Sequence, residues 1–178
     1  MKIEIRNIKI ASNLSEETIA FTADVFVNGE KTAYAKNDGQ GGCTHYSAYE
    51  NKRTLLAEAE AYVKSLPSQK EMLGGEEIII ESNLEGFIDD VIYAKDNERE
   101  QKKFEKKIQK ACETDIVWGK PNSGSFKSIG FKGKHKLADI GNSTQGQIAI
   151  KNLIERIKKE MKEGDVILNT NLPKEWIK

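Results

Sequence analysis

Asn37-Asp38-Gly39-Gln40-Gly41-Gly42-Cys43-Thr44-His45-Tyr46 is a glycine-rich segment on which two neighbouring elements depend, because its turns set where each of them lies. Upstream, Asn28-Gly29 predicts a β-hairpin, since a type I′ turn needs a positive φ at both central residues. The hairpin strands are predicted over residues 19–27, where apolar residues alternate, and 32–35, which return. Downstream, Ser47-Ala48-Tyr49-Glu50 fits a capping box, which predicts a helix that begins directly after the loop.

The rest of the chain alternates between short strands and amphipathic helices. Apolar residues at helical spacing predict helices after the loop, after Ser82-Asn83-Leu84-Glu85 and after Thr144. The second of these begins with another capping-box pattern, and Gly164 is suited to end the third. The other predicted strands are residues 3–10, 78–80 (buried), 116–118, 126–131 (with Gly130 as a bulge) and 166–168. The predicted inner stripe of the last long helix is Ile148, Leu153, Ile154, Ile157 and Met161.

The segment Lys95–Lys110 is almost entirely charged, and Phe104 and Ile108 are its apolar positions. This composition predicts a solvated surface helix, either separate from the helix before it or continuous with it. The alternative is a helix that docks a partner or a second copy of the chain. Docking of a second copy would make the protein a homo-oligomer.

These elements together predict an α+β fold. We expect a mainly antiparallel, hairpin-built sheet with helices packed on one face and one charged helix that projects. The length of 178 residues fits a single domain over residues 1–178, with a helical excursion over residues 82–113. A chain of this size can bury a core without disulfides or metals.

The composition argues against several classes of partner. The 28 basic and 28 acidic side chains cancel, so no net charge attracts nucleic acid or an anionic membrane. No apolar run approaches the roughly 18 residues that span a bilayer, and the first six residues do not form a signal peptide. Two widely separated cysteines do not form a disulfide framework. We therefore predict a cytoplasmic protein with free thiols.

The glycines of the loop predict a ligand site. They can bring bare backbone amides up to a phosphate or carboxylate, and the positive end of a helix starting at Ser47 would face the same space. The pattern matches neither a P-loop nor a dinucleotide fingerprint, and the alternative is a connection whose glycines only supply positive φ. A second helix start converging on one pocket would suit a small phosphorylated ligand. The candidate ligand-binding residues are Asn37, Asp38, Gly39, Gly41, Gly42, Thr44, His45, Tyr46, Ser143 and Thr144.

Cys43 and His45 raise a second hypothesis, a small hydrolase or transferase. Residues two apart on an extended segment point to the same side. A thiolate beside an imidazole is the arrangement of a cysteine nucleophile, and Asp38 is placed to orient the ring. The two Cβ atoms would lie about 6–7 Å apart, which is long for a hydrogen bond. The alternative is a buried Cys43 and a His45 that bonds the loop backbone.

Two further clusters have simpler interpretations. Asp89-Asp90 has no third metal ligand near it in the sequence, and we predict neither a metal nor a cofactor. We interpret a locally basic segment as a solvated loop, and the alternative is a segment that meets a phosphate. Its residues are Lys127, Lys132, Lys134, His135 and Lys136.

Both ends of the chain resemble small uncharacterised proteins of bacteriophages and bacterial mobile elements. The resemblance rests on Phe21–Glu30, on Ala33–Gly42 and on the ending Val166–Pro173. It implies a setting in the host cytoplasm and a counter-defence role, and it brings no established catalytic residues.

The function predicted from the sequence is therefore that of a non-enzymatic binding protein of phage or mobile-element origin. Its partner would be a host defence protein, which it inhibits, or a small nucleotide signal, which it sequesters. The alternative is the enzyme that uses Cys43 and His45.

Overall fold

The structure is a computed structural model that describes residues 1–133 and 135–177, without the side chains of residues 69, 71, 73 and 76. Helices and antiparallel sheets are both present, which confirms the α+β class. The chain divides into two compact units, Met1–Asn97 and Glu98–Lys178. The single domain expected from the length stays a prediction.

The first unit is built on a four-stranded antiparallel sheet in the order β1-β2-β3-β4. Asn28 and Gly29 join β2 to β3, and their φ values of 50° and 86° confirm the predicted type I′ geometry. The strands are β1 (Ile3–Ile10), β2 (Phe21–Val27), β3 (Glu30–Asn37) and β4 (His45–Ala48).

Helices cover one face of this sheet. Helix α1 (Arg53–Lys64) and the start of α2 (Leu84–Cys112) place their apolar stripes on the inward side chains of β2 and β3. The opposite face, which we call the open face, carries polar side chains such as Asp24 and Lys36. The core residues are Phe21, Ala23, Val25, Val27, Ala33, Ala35, Leu56, Ala59, Val63, Leu84, Ile88 and Ile92.

The prediction that a helix begins at Ser47 is wrong. Residues 45–48 form β4, in which Ser47 pairs with Tyr34 of β3, and α1 begins only at Arg53. Tyr46 and Ala48 alternate with exposed residues and pack on the core. Burial that alternates with a period of two is the pattern of a strand with one face on the core. The free energy gained by burying these two side chains outweighs the local preference of the capping box for a helix.

The segment Ile78–Ile80 is a strand, but the prediction that it is buried is wrong. It belongs to a two-stranded sheet of β5 (Gln69–Leu73) and β6 (Glu76–Ile80), and Ile79 is 67% exposed. The hairpin turns at Gly74 and Gly75, which both have positive φ.

Helix α2 is capped by Asn83 rather than by Ser82. The Asn83 side chain accepts a hydrogen bond from Gly86 N at 2.7 Å, whereas the Ser82 hydroxyl donates to the carbonyl of Pro67. The helix then runs without a break to Cys112, so the charged segment Lys95–Lys110 is its continuation.

The second unit contains a three-stranded antiparallel sheet in the order β8-β7-β9. Its core joins the sheet to the apolar side of the long helix α4. The elements are β7 (Asp115–Gly119), β8 (Lys127–Gly130), α3 (Leu137–Gly141), α4 (Thr144–Glu160), β9 (Val166–Ile167) and α5 (Lys174–Ile177).

Three predictions for this unit are wrong. Ile148 is 53% exposed and so lies off the inner stripe of α4. Gly130 pairs in register with Asp115 without a bulge, and a Cβ at this position would overlap the Asp115 carboxylate. Helix α4 ends at Glu160, before Gly164.

In the predicted basic segment, Lys134 lies outside the described residues.

Candidate functional site

The glycine-rich loop connects β3 to β4 and packs against residues 13–18. The carbonyl of Gly39 accepts hydrogen bonds from the amides of Glu16, Glu17 and Thr18 at 2.9, 3.1 and 3.3 Å. Gly39 has φ +89°, and a Cβ there would overlap the carbonyl oxygen of Leu14. The loop therefore has glycine at this position because two backbone segments meet there.

The backbone amides that could hold an anion are largely bonded within the protein. Gly39 N donates to Asn37 Oδ1 at 2.8 Å, and Gly41 N donates to Thr18 Oγ1 at 3.3 Å. Thr44 N donates to Glu85 Oε1 at 3.0 Å. The loop thus offers an anion fewer donors than the glycine pattern suggests, and ligand binding at this loop stays a prediction.

Thr44 fastens the loop to helix α2. It is 4% exposed, and its hydroxyl donates to Asp89 Oδ1 at 2.6 Å while accepting from Asn37 Nδ2 at 3.3 Å. Asn37 is also buried, and its Oδ1 accepts from the Thr18 hydroxyl at 2.9 Å. The start of α2 therefore faces the loop with carboxylates, Glu85 and Asp89, which repel a phosphate.

Asp89 is the member of this network whose ionised form is disfavoured by its surroundings. Burial raises its pKa, the bond from Thr44 lowers it, and the charges of Glu85 and Asp90 raise it further, so the pKa is raised overall. The ionised carboxylate is therefore less stable in the folded protein than in water. Among the described residues, no group of three or more His, Cys, Asp or Glu side chains is placed to hold a metal ion there.

Asp89→Asn is expected to be at least as stable as the wild type at neutral pH. We expect any gain in the free energy of unfolding to be less than about 1 kcal/mol, because the carboxylate of Asp89 is partly solvated. The amide keeps an acceptor for the Thr44 hydroxyl and removes the charge. Because the folded-state pKa is raised, the wild type gains stability as pH falls through that pKa, and the variant lacks this gain. Urea unfolding at about pH 7 and about pH 5 measures the difference. The control is Glu58→Gln on the exposed side of α1, and a large loss of stability in Asp89→Asn at both pH values would contradict the assignment.

The structure does not assemble the proposed cysteine dyad. Cys43 and His45 are both exposed, so the alternative of a buried Cys43 is wrong, and catalysis by Cys43 stays a prediction. Among the described residues His45 has no hydrogen bond to Cys43 or Asp38, and Asp38 forms an ion pair with Lys36 at 3.5 Å. A cysteine nucleophile is activated by a neighbouring base or cation, and the described contacts of His45 do not supply one to Cys43.

Cys43 instead lines a cavity of about 70 Å³ together with Glu85 and Asp89. The described lining of this cavity contains two carboxylates and no lysine, arginine or histidine. The other cysteine, Cys112, is buried, and burial together with the charge of Asp115 raises the pKa of its thiol to about 11.

A larger cavity of about 400 Å³ lies on another side of the loop. Asn37, Asp38 and Gln40 line it from the loop, and Lys9 and Glu16 line it from neighbouring segments. Its volume is within the range of small-molecule sites. The cavity has one cationic side chain and two carboxylates, which is a poor match for a polyphosphate.

The remaining predicted ligand residues have structural contacts. Tyr46 is half-buried, and burial raises the pKa of its hydroxyl to about 12, with a further contribution from the hydrogen bond to Glu60. Ser143 caps α4 by accepting from Gly146 N at 3.0 Å, and Thr144 is the first residue of that helix. Ser143 and Thr144 belong to the second unit and the loop to the first.

The open face of the four-stranded sheet carries a network that sequence reasoning misses. Asp24 is 8% exposed and accepts hydrogen bonds from Asn7 Nδ2 at 2.7 Å and Tyr49 Oη at 2.8 Å. Lys31 Nζ lies 3.1 Å away. Burial raises the pKa of Asp24, but these three partners more than offset it and lower the pKa overall. Asn7 has φ 54° beside a register shift in β1, and the break in the isoleucine alternation there is the signal that points to it.

The β5–β6 hairpin is the most exposed apolar feature of the described residues. Met72 is 70% exposed and Ile79 is 67% exposed. Lys70 pairs with Ile79 and Met72 pairs with Glu77, so these four side chains share one face of the hairpin. A cavity of about 210 Å³ lies at its base, between the end of α1 and the start of α2.

Comparison with known proteins identifies no relative. No protein-family model, curated protein or solved structure matches the chain. Within the described residues, no helix has the length and apolar character needed to cross a membrane.

Proposed function

We propose that this protein is a non-enzymatic binding protein of phage or mobile-element origin that engages and inhibits a host defence protein. The observation that carries the proposal is the β5–β6 hairpin, whose side chains Met72 and Ile79 are about two-thirds exposed. Apolar residues exposed together on one face mark interaction sites. An isolated two-stranded hairpin is also marginally stable in water, so a partner surface would stabilise it.

The surroundings of Cys43 support binding over catalysis. The thiol shares its cavity with two carboxylates, and His45 lies on the outward side of β4 opposite Lys36. The enzyme that uses Cys43 and His45 is retained as the alternative, because an exposed thiol is chemically accessible.

Sequestration of a small nucleotide is a second candidate, favoured by the cavity of about 400 Å³ beside the loop and by Lys9 in its wall. Glu16 and Asp38 line the same cavity and oppose a phosphate. We therefore rank it below the binding of a protein.

Affinity capture from bacterial cells that produce the tagged protein tests the proposal. We expect the wild type and Cys43→Ser to retain the same stoichiometric host protein, because the thiol takes no part in binding. Ile79→Lys should weaken its capture by at least about tenfold, because a charge is placed in the apolar contact. The matched control is Ile148→Lys, since Ile148 is 53% exposed in the second unit.

Two results would contradict the proposal. One is a nucleotide released from the denatured wild-type protein in place of a protein partner, which would favour sequestration. The other is an effect on the host that Cys43→Ser abolishes and Ile79→Lys leaves intact, which would favour the enzyme.

A further inference from the structure

We propose that the groove at the base of the β5–β6 hairpin binds an extended segment of a partner protein in which an apolar side chain is flanked by lysine or arginine. The inference rests on the proposed function, since it names the partner chemistry for the same hairpin. It follows from the floor of the groove, its rim and the unpaired strand edges beside it.

The floor of the groove is apolar and small. Val63 and Leu66 line it from α1 and the residues after it, Phe87 lines it from α2, and Ile80 lines it from β6. Its volume is about 210 Å³. Typical small-molecule sites are larger, at about 300–1,000 Å³. A single large apolar side chain fits such a space better than a free organic ligand.

The rim of the groove is acidic. Glu81 and Asp90 are both exposed and line the groove, and neither has an ion-pair partner among the described residues. The other polar side chains of the rim already have partners, since Asn83 caps α2 and Ser82 bonds the carbonyl of Pro67. The groups available to a partner are therefore two carboxylates, and electrostatic complementarity requires cationic side chains opposite them.

The strands beside the groove offer a backbone template. β5 and β6 pair only with each other within the described chain, so each has one unpaired edge. An extended segment can add to such an edge as a further strand and direct alternate side chains into the groove. A second copy of β6 is disfavoured, because antiparallel pairing about Ile79 would place Glu77 opposite Glu81 in both halves.

Fluorescence anisotropy with two labelled peptides of about eight residues, a typical strand length, tests the inference. One peptide alternates leucine and valine with lysine, and the other carries glutamate in place of each lysine. We expect the wild type to bind the lysine peptide at least about tenfold more tightly than the glutamate peptide. Asp90→Lys and Glu81→Lys should each weaken the lysine peptide by about tenfold. The matched control Glu58→Lys, at an exposed carboxylate of α1, should bind like the wild type.

Equal affinity for the two peptides, or an equal effect of Glu58→Lys and Asp90→Lys, would overturn the inference. Self-association of the wild type that Ile79→Lys abolishes would also overturn it and assign the hairpin to a homo-oligomer. Capture of the host protein from cells separates this failure from that of the proposed function. If Asp90→Lys retains the captured partner, the groove assignment fails and the binding function stands; if the wild type captures none, the function itself fails.

Discussion

Asn169→Asp is expected to destabilise the second unit by about 3 kcal/mol or more at neutral pH. Asn169 is 2% exposed, and its Oδ1 accepts a hydrogen bond from Val117 N at 2.7 Å. Its Nδ2 donates to the carbonyl of Asp115 at 2.9 Å and lies 3.1 Å from Asn171 Oδ1. Aspartate has the same shape and keeps the acceptor. Its second oxygen would face three oxygen atoms, the two above and the carbonyl of Cys112, with no proton between them. The loss therefore measures the missing donor rather than a change in packing.

The same variant should show a characteristic pH dependence. The folded state disfavours the ionised carboxylate, so its pKa there would be raised above the value in the unfolded chain. The penalty is then full at neutral pH and disappears as pH falls below the unfolded-state value of about 4. Urea unfolding followed by tryptophan fluorescence is the measurement, because both tryptophans, Trp118 and Trp176, belong to the second unit.

The control for this prediction is Asn152→Asp, the same chemical change at an exposed position of α4. We expect it to shift the free energy of unfolding by no more than about 0.5 kcal/mol. An Asn169→Asp protein as stable as this control would show that the buried amide contributes little to holding the C-terminal segment on β7.

Local signals in the sequence are sufficient where one interaction dominates a short stretch. Asn28-Gly29 predicts its turn correctly because positive φ at both positions is a property of those two residues. The capping box at Ser47 is also local, yet it fails. The β3 strand offers β4 four residue pairs, and half-burial of Tyr46 and Ala48 adds to them. A local preference of about 1 kcal/mol cannot compete with that pairing.

The contacts of the candidate site could not be read from the sequence, because they join residues far apart in the chain. Thr44 bonds Asp89 across 45 positions, and Asn7 bonds Asp24 across 17. No periodicity encodes such pairs. The glycines of the loop include two with positive φ, as the alternative of a simple connection predicts. The packing of Gly39 against residues 13–18 could not be predicted, because only the tertiary fold brings these residues together.

Gly39→Ala is expected to destabilise the first unit by about 3 kcal/mol and to release the loop. The residue has φ +89°, and a methyl group would overlap the backbone carbonyl of Leu14 and lie 2.8 Å from the Ala20 Cβ. Neither neighbour can move easily, because Ala20 is buried and the Leu14 carbonyl belongs to a backbone turn. Relief would have to come from the loop itself, at the expense of the three hydrogen bonds that the Gly39 carbonyl accepts.

Gly42→Ala is the matched control in the same loop, since Gly42 has no positive φ and nothing lies within 4 Å of its Cβ position. We expect it to change the free energy of unfolding by less than about 0.5 kcal/mol. Hydrogen exchange followed by mass spectrometry should then show faster exchange over residues 14–20 and 37–46 in Gly39→Ala alone. Equal stability and equal exchange in the two variants would mean that the loop is not packed against residues 13–18. The glycines would then be available to bind a ligand, as their pattern first suggests.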